Sequence, residues 1–217
     1  MPAEAEKKKR PWVQAAVDVE DIGTGRQIAR MAAEAGAEWI EVGTPLLVRC
    51  GTDAIRQLRE AAGPDVRLIA DYKYFHGPTL IPPAAEAGAD LVLMEDIWQD
   101  RFVEESLTLA KEYGVGLVYS LIAKKPSDYV ERALQLVSLG VDALFMWRKV
   151  SFGGKVYETL KDVRAVTDVS IGVSDDDLES AAAAVREGAD WITFGTALKQ
   201  NDPVITRQWI DTIHGAI

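Results

Sequence analysis

The chain predicts a single (β/α)8 TIM barrel, an α/β fold, on three observations. One phrase recurs four times: Ala35-Gly36-Ala37-Glu38-Trp39-Ile40, Ala87-Gly88-Ala89-Asp90-Leu91-Val92, Leu139-Gly140-Val141-Asp142-Ala143-Leu144 and Glu187-Gly188-Ala189-Asp190-Trp191-Ile192. Each copy reads as a helix that stops at a glycine cap and passes directly into a short apolar strand. The glycines stand 52, 52 and 48 residues apart, a regular step of about two βα units, which favours a closed parallel barrel over an open sheet. Finally, 217 residues with 48% apolar content suit one domain with a sizeable core. In such a barrel, chemistry is confined to the carboxyl ends of the strands.

The expected strands are short apolar runs, as follows when both faces of a parallel strand are covered. Trp12–Asp18 leads into a helix over Thr24–Ala35, Trp39–Val42 into Thr52–Ala62, and Val66–Asp71 into Pro82–Ala87. Leu91–Glu95 precedes Phe102–Tyr113, Gly116–Ser120 precedes Pro126–Leu139, and Ala143–Trp147 precedes Tyr157–Ala165. Val169–Val173 with Asp176–Glu187, and Trp191–Phe194 with Pro203–His214, complete the set. Asp175 or Ser174 is expected to cap the seventh helix, and Asp202, just before Pro203, the eighth. No linker or low-complexity stretch divides residues 11–217, so a charged tail over 1–10 precedes one barrel domain.

Composition narrows the setting. The net charge of −10 argues against a nucleic-acid partner, so Lys7-Lys8-Lys9-Arg10 reads as a frayed, solubilising terminus. No apolar run approaches the roughly 20 residues that span a bilayer, and no signal-type segment follows the charged start. The single cysteine, Cys50, excludes an intrachain disulfide and suits a reducing cytoplasm. The expected partner is a small molecule; an anionic one needs local help from a metal, a lysine or helix N-termini.

Functional groups gather at the strand ends. The first strand ends at Asp18, the second carries Glu41, and the third supplies Asp71 and Lys73, with His76 just beyond. The fourth ends in Glu95-Asp96 and the sixth runs into Trp147-Arg148-Lys149. Taken singly, Asp18 also reads as a helix cap and Glu95-Asp96 as a solvated loop. Brought to one mouth, these carboxylates are costly unless a cation compensates them. Asp71 and Lys73, two apart on an extended segment, are expected to point the same way. The ammonium then donates a proton or stabilises a forming enolate. Glu41 and Asp71, on neighbouring strands, offer hard oxygen ligands suited to Mg²⁺. Trp98, Trp147 and Tyr72 are candidates for lining the mouth, and His214 is expected on the surface of the last helix.

Three segments together resemble the orotidine monophosphate decarboxylase suprafamily: Val13-Gln14-Ala15-Ala16-Val17-Asp18, Glu41-Val42-Gly43-Thr44-Pro45 followed by Gly51, and Ile69-Ala70-Asp71-Tyr72-Lys73. The Glu-(Ile/Val)-Gly-Thr-Pro element is similar to that of the branch holding 3-keto-L-gulonate 6-phosphate decarboxylase and D-arabino-hex-3-ulose 6-phosphate synthase. The resemblance implies a homodimeric barrel with shared active sites, Mg²⁺ on Glu41 and Asp71, Asp18 at the first strand, and Lys73 against an enediolate. It also implies departures. The last position of the family's Asp-x-Lys-x-x-Asp motif is His76, which can take over proton transfer, across the dimer. Trp147-Arg148-Lys149-Val150 stands where the family's sixth strand ends in a histidine, leaving Arg148 to neutralise a substrate carboxylate or phosphate. At the phosphate corner, Gly172-Val173-Ser174 and Gly195-Thr196-Ala197 replace the family's Gly-Gly and Gly-Arg turns. Gly172, Ser174, Gly195 and Thr196 are therefore the expected phosphate ligands, through amides and hydroxyls.

The expected activity is a Mg²⁺-dependent carbon–carbon lyase, decarboxylase or aldolase, divergent from the characterised branch and acting through an enediolate on a small, phosphorylated keto-sugar or keto-acid. Three alternatives stay open: a hexulose-phosphate-synthase-type aldol enzyme, a ketose-phosphate isomerase or epimerase, and a barrel that only binds a ligand.

Overall fold

The computed structural model describes residues 10–73, 77–96, 100–122, 126–141, 143–147 and 156–216. Among them, eight parallel strands close into a barrel in chain order. These are β1 (Trp12–Val17), β2 (Trp39–Val42), β3 (Arg67–Lys73), β4 (Leu91–Glu95), β5 (Gly116–Ser120), β6 (Ala143–Trp147), β7 (Ser170–Ser174) and β8 (Trp191–Phe194). The surrounding helices are α1 (Ile22–Ala35), α2 (Thr44–Cys50), α3 (Asp53–Ala62), α4 (Ile81–Glu86), α5 (Asp100–Tyr113), α6 (Pro126–Leu139), α7 (Val156–Arg164), α8 (Leu178–Arg186) and α9 (Pro203–His214). Among the described residues, no helix is long and apolar enough to cross a membrane.

The repeated phrase is the device that launches four of these strands. Its glycines, Gly36, Gly88, Gly140 and Gly188, have φ of 98°, 98°, 103° and 107°, a left-handed conformation that a side chain would oppose. Three of its acidic residues, Glu38, Asp90 and Asp190, then clamp the base of the preceding strand. Glu38 accepts from the Val13 amide at 2.9 Å, Asp90 from Leu68 at 2.7 Å, and Asp190 from Ile171 at 2.8 Å. Each carboxylate also pairs with an arginine, respectively Arg10, Arg59 and Arg164. His214 joins the first of these clusters, 3.1 Å from Glu38 with its side chain only 12% exposed, so it is not the free surface residue expected from sequence. Arg10, placed in the tail by the sequence, is likewise tied to the barrel floor through Glu38. The rest of that tail lies outside the described residues.

One added element and one cap differ from the sequence reading. Residues 43–51 carry no element in that reading, whereas Thr44–Cys50 forms α2, because Pro45 presets the backbone of a first helical turn. The cap of α8 is neither Ser174 nor Asp175 but Asp177, whose side chain accepts from the Ser180 amide. A two-residue shift in the helix start explains the miss. Asp202 does cap α9, accepting from Val204 and Ile205.

The barrel has two chemically different halves. Trp39 and Trp191 fill its floor together with Ile69, Leu91, Leu93, Val118, Ala143 and Phe145, and Trp12 packs against them. Ring centroids of Trp12–Trp39 and Trp39–Trp191 are 5.0 Å apart, and Phe145 stacks on Trp191 at 6.2 Å. Gly172 makes room for this floor, since a β-carbon there would run into the Trp191 indole. A second apolar layer lies between strands and helices. Trp39 and Trp191 begin their strands, whereas Glu41 and Asp71 lie toward the carboxyl ends of theirs, so the buried carboxylates gather away from the aromatic floor.

Candidate active site

On β1, alternation places Gln14, Ala16 and Asp18 on one face. Across the β1–β2 register Ala16 stands opposite Glu41, and across β2–β3 Glu41 stands opposite Ile69, two residues before Asp71. Three carboxylates therefore converge: ligand oxygens of Asp18, Glu41 and Asp71 all lie within 4.8 Å of one another. Glu41 and Asp71 are buried, at 1% and 0% exposure, whereas Asp18 is partly open to the mouth. Gly43 lets the loops meet here, because a β-carbon would collide with Asp18 Oδ1 and the Val17 carbonyl.

Lys73 reaches this cluster by a route that simple strand alternation does not describe. The β3–β4 register shifts between Asp71 and Lys73: Asp71 faces Leu93 while Lys73 faces Met94, so Tyr72 is an extra residue in a bulge. Lys73 itself has φ of 51°, an uncommon conformation for a side-chain-bearing residue. The bulge re-aims the ammonium so that Nζ donates to Asp71 Oδ2 at 2.6 Å. The same Nζ lies 4.3 Å over the Trp147 ring, whose indole N–H donates to Ser120 Oγ at 2.6 Å. Trp147 thus flanks the site, whereas Tyr72 packs in the layer beneath the helices and does not line the mouth.

Neighbouring side chains orient the carboxylates. The Thr44 hydroxyl lies 2.8 Å from the Asp71 carbonyl and 3.0 Å from Asp71 Oδ2. Gln14 Nε2 donates to Glu41 Oε2 at 2.5 Å. Asp71 Oδ1 is buried with no hydrogen-bond partner among the described residues. The protonation equilibria record the crowding. Burial, then the charges of Asp71 and Asp18, push Glu41 well above the ordinary carboxyl range. Burial and Asp71 push Asp18 upward as well. Burial opposes a charge on Lys73, but the Asp71 carboxylate and its hydrogen bond overcome that, so the ammonium holds its proton more tightly than a free lysine.

These groups fit a hard divalent cation. The donors are all carboxylate oxygens, two of the three residues are fully buried, and Asp71 retains an unpartnered buried oxygen that a cation would satisfy.

The remaining sequence expectations fall in different places. Asp18, Glu41, Asp71 and Lys73 come together; His76, Arg148 and Trp98 lie outside the described residues. Glu95 is close enough for the charges of Lys73 and Asp71 to act on it, and burial raises its pKa. Asp96 instead serves the scaffold, gripped by Arg132 through two 2.7 Å contacts. Gly172 sits against Trp191, within β7, and Ser174 ends that strand. The Gly195 and Thr196 amides already bind an anion of the chain itself: both donate to Asp176 Oδ1 at 2.8 Å, and the Thr196 hydroxyl donates to Oδ2 at 2.8 Å. Sequence reasoning missed Gln14, Thr44, Ser120 and Asp176 as members of the site. A polar residue interrupting an apolar strand was the available signal for Gln14, and the Asp175-Asp176-Asp177 run for Asp176.

No family model matches this chain. Among curated proteins it is 24% identical over 202 residues to 3-hexulose-6-phosphate synthase 2 of Staphylococcus saprophyticus, covering 88% of this chain and 92% of that protein. It is 23% identical over 213 residues to the bifunctional enzyme Fae/Hps of Methanothrix thermoacetophila, covering 94% of this chain; it spans about half, 53%, of that relative. The barrel matches the crystal structure of a 3-hexulose-6-phosphate synthase with a TM-score of 0.80 at 24% identity, over 95% of this chain and 99% of that one. It matches a crystal structure of KGPDC from Streptococcus mutans with a TM-score of 0.78 at 17% identity, over 94% and 97%. Orotidine 5'-phosphate decarboxylase from Pyrococcus horikoshii gives 0.72 at 22% identity, over 93% and 98%. The likeness in fold to these structures thus covers nearly the whole barrel.

Proposed function

We propose that this barrel is a Mg²⁺-dependent carbon–carbon lyase that cleaves or forms a bond beside the carbonyl of a small hydroxy-ketone or keto-acid. The observation that carries the reading is an ammonium held 2.6 Å from a buried carboxylate at the edge of a three-carboxylate cluster. Such charge density is expensive to bury and gains a purpose only if it acts on a ligand. The names of similar proteins, a hexulose-phosphate synthase and an orotidine phosphate decarboxylase, are those of enzymes that form or break carbon–carbon bonds.

Glu41 and Asp71, with Asp18 in reach, would hold the Mg²⁺. When bound, the ion supplies positive charge to oxygens of the substrate and so favours an electron-rich intermediate. The chain's own residues do the rest. Lys73, kept protonated by Asp71, faces the charge that accumulates as the carbon–carbon bond breaks, and donates its proton to the enediolate carbon, leaving a neutral amine. The Trp147 ring, 4.3 Å from the ammonium, adds a cation–π attraction that helps to hold it in place. Thr44 and Gln14 hold Asp71 and Glu41 in one orientation each, so little reorganisation accompanies reaction. Asp18, at the rim, orients Lys73 or a substrate hydroxyl. His76 and Arg148 complete the reading as proton carrier and anion partner, in a homodimer whose sites are shared.

The test follows carbon–carbon cleavage across keto-sugars and β-keto acids, with Mg²⁺ and after chelation. Cleavage that requires Mg²⁺ and is lost in Lys73→Ala supports the assignment. No cleavage of any member, with no effect of Mg²⁺ on melting temperature, leaves a barrel that only binds a ligand.

A further inference from the structure

Three consecutive aspartates follow β7, and each satisfies backbone amides at the corner between the seventh and eighth strands. The Asp177 amide donates to Asp175 Oδ1 at 2.9 Å, and the Ser180 amide donates to Asp177 Oδ1 at 2.9 Å. Asp176 takes the Gly195 and Thr196 amides and the Thr196 hydroxyl, all at 2.8 Å. Those are donors that an external phosphate would require, converging on a point beside the catalytic cluster: Asp176 is near enough for its charge to act on Asp18. A carboxylate seated on two adjacent amides and a hydroxyl is an internal anion, bound at high effective concentration. A phosphate arriving there finds those donors taken by Asp176 and meets repulsion from the aspartate run, with the exposed Lys199 nearby.

We propose that Asp176 is a specificity-determining residue that closes this corner to phosphate, so that the substrate is a small hydroxy-ketone or keto-acid without a phosphate at its far end. The substrate class rests on the lyase reading; the closed corner does not. The distinction matters because hexulose-phosphate synthases, by name, handle a phosphorylated sugar, and this barrel shares their fold.

The experiment measures binding of inorganic phosphate by titration calorimetry to the full chain, to Asp176→Gly and to Asp176→Asn, with circular dichroism verifying the fold of each. Removing the carboxylate should free the Gly195 and Thr196 amides, so Asp176→Gly is expected to bind phosphate at least about tenfold more tightly than the wild type. Asp176→Asn, which removes the charge while keeping one acceptor, is expected to fall between. Phosphate binding by the wild type as tight as by Asp176→Gly, or no binding by either variant, overturns the proposal. A matched pair, a ketose and its terminal phosphate ester, reads the substrate class: at least about tenfold higher kcat/KM for the unphosphorylated member is expected, and preference for the ester overturns it. Phosphate binding needs no turnover, so a barrel that cleaves nothing fails the lyase reading while the calorimetry still decides the role of Asp176.

Discussion

Lys73 Nζ and Asp71 Oδ2 stand 2.6 Å apart, brought together by a bulge at Tyr72 and a left-handed backbone at Lys73. The pair divides the work of one carboxylate. Oδ2 serves the ammonium and the Thr44 hydroxyl, while Oδ1 is left buried and unpartnered among the described residues, available to a cation. Replacing Lys73 by alanine should therefore cut turnover by at least roughly 10²-fold, the usual cost of one preorganised donor to a developing anion. Far-ultraviolet dichroism should remain that of the wild type. Near-normal turnover in Lys73→Ala would remove the lysine from the mechanism.

Magnesium binding should be visible without any substrate. At a hundredfold excess over its Kd, a ligand specific to the folded state adds about 2.7 kcal/mol. For a domain of this size that raises the melting temperature by about 5–10 °C. Asp71→Asn should abolish the shift. A variant that keeps the full shift would show that the ion binds elsewhere.

Glu41 links function to stability. Its folded-state pKa lies well above the ordinary carboxyl value through burial first, then the charges of Asp71 and Asp18. A carboxyl shifted upward favours the folded state while protonated, and that contribution fades as the pH climbs through the folded value. Metal-free Glu41→Gln should therefore be more stable than the wild type at neutral pH, by about 1–3 kcal/mol, the scale of desolvating a polar group in mutational data. The difference should vanish as the pH falls to the ordinary carboxyl range. Melting curves in chelator at several pH values measure it; a difference that grows on acidification would refute the sign.

Two glycines separate site from scaffold. A β-carbon at Gly43 collides with Asp18 Oδ1 and the Val17 carbonyl, whereas one at Gly172 collides with the Trp191 ring on the barrel floor. Both Gly43→Ala and Gly172→Ala should lose about 1–3 kcal/mol to overpacking. Only Gly43→Ala should also weaken the Mg²⁺-dependent shift in melting temperature. Equal weakening in Gly172→Ala would mean that the floor and the mouth are mechanically coupled.

Much of this molecule was legible from local chemistry. The four-fold Gly-x-acid phrase announced helix ends and strand starts because left-handed caps depend on a few adjacent residues. Strand limits for β2, β4, β5, β6 and β8 agree with the apolar runs for the same reason. The meeting of Asp18, Glu41, Asp71 and Lys73 also followed from sequence, since in a barrel every strand end reaches one mouth. Other features needed long-range geometry. That Lys73 turns through a bulge rather than by alternation depends on how β3 packs against β4. That Arg132 takes Asp96 out of the site depends on α6 lying across the end of β4. That Asp176 occupies the Gly195 and Thr196 amides depends on two loops, some twenty residues apart, closing on each other. Sequence alone determined which charges reach the mouth, because periodicity and local caps set the chain's path. Only the tertiary structure decided which of them are already neutralised by a partner, because that depends on contacts between segments distant along the chain.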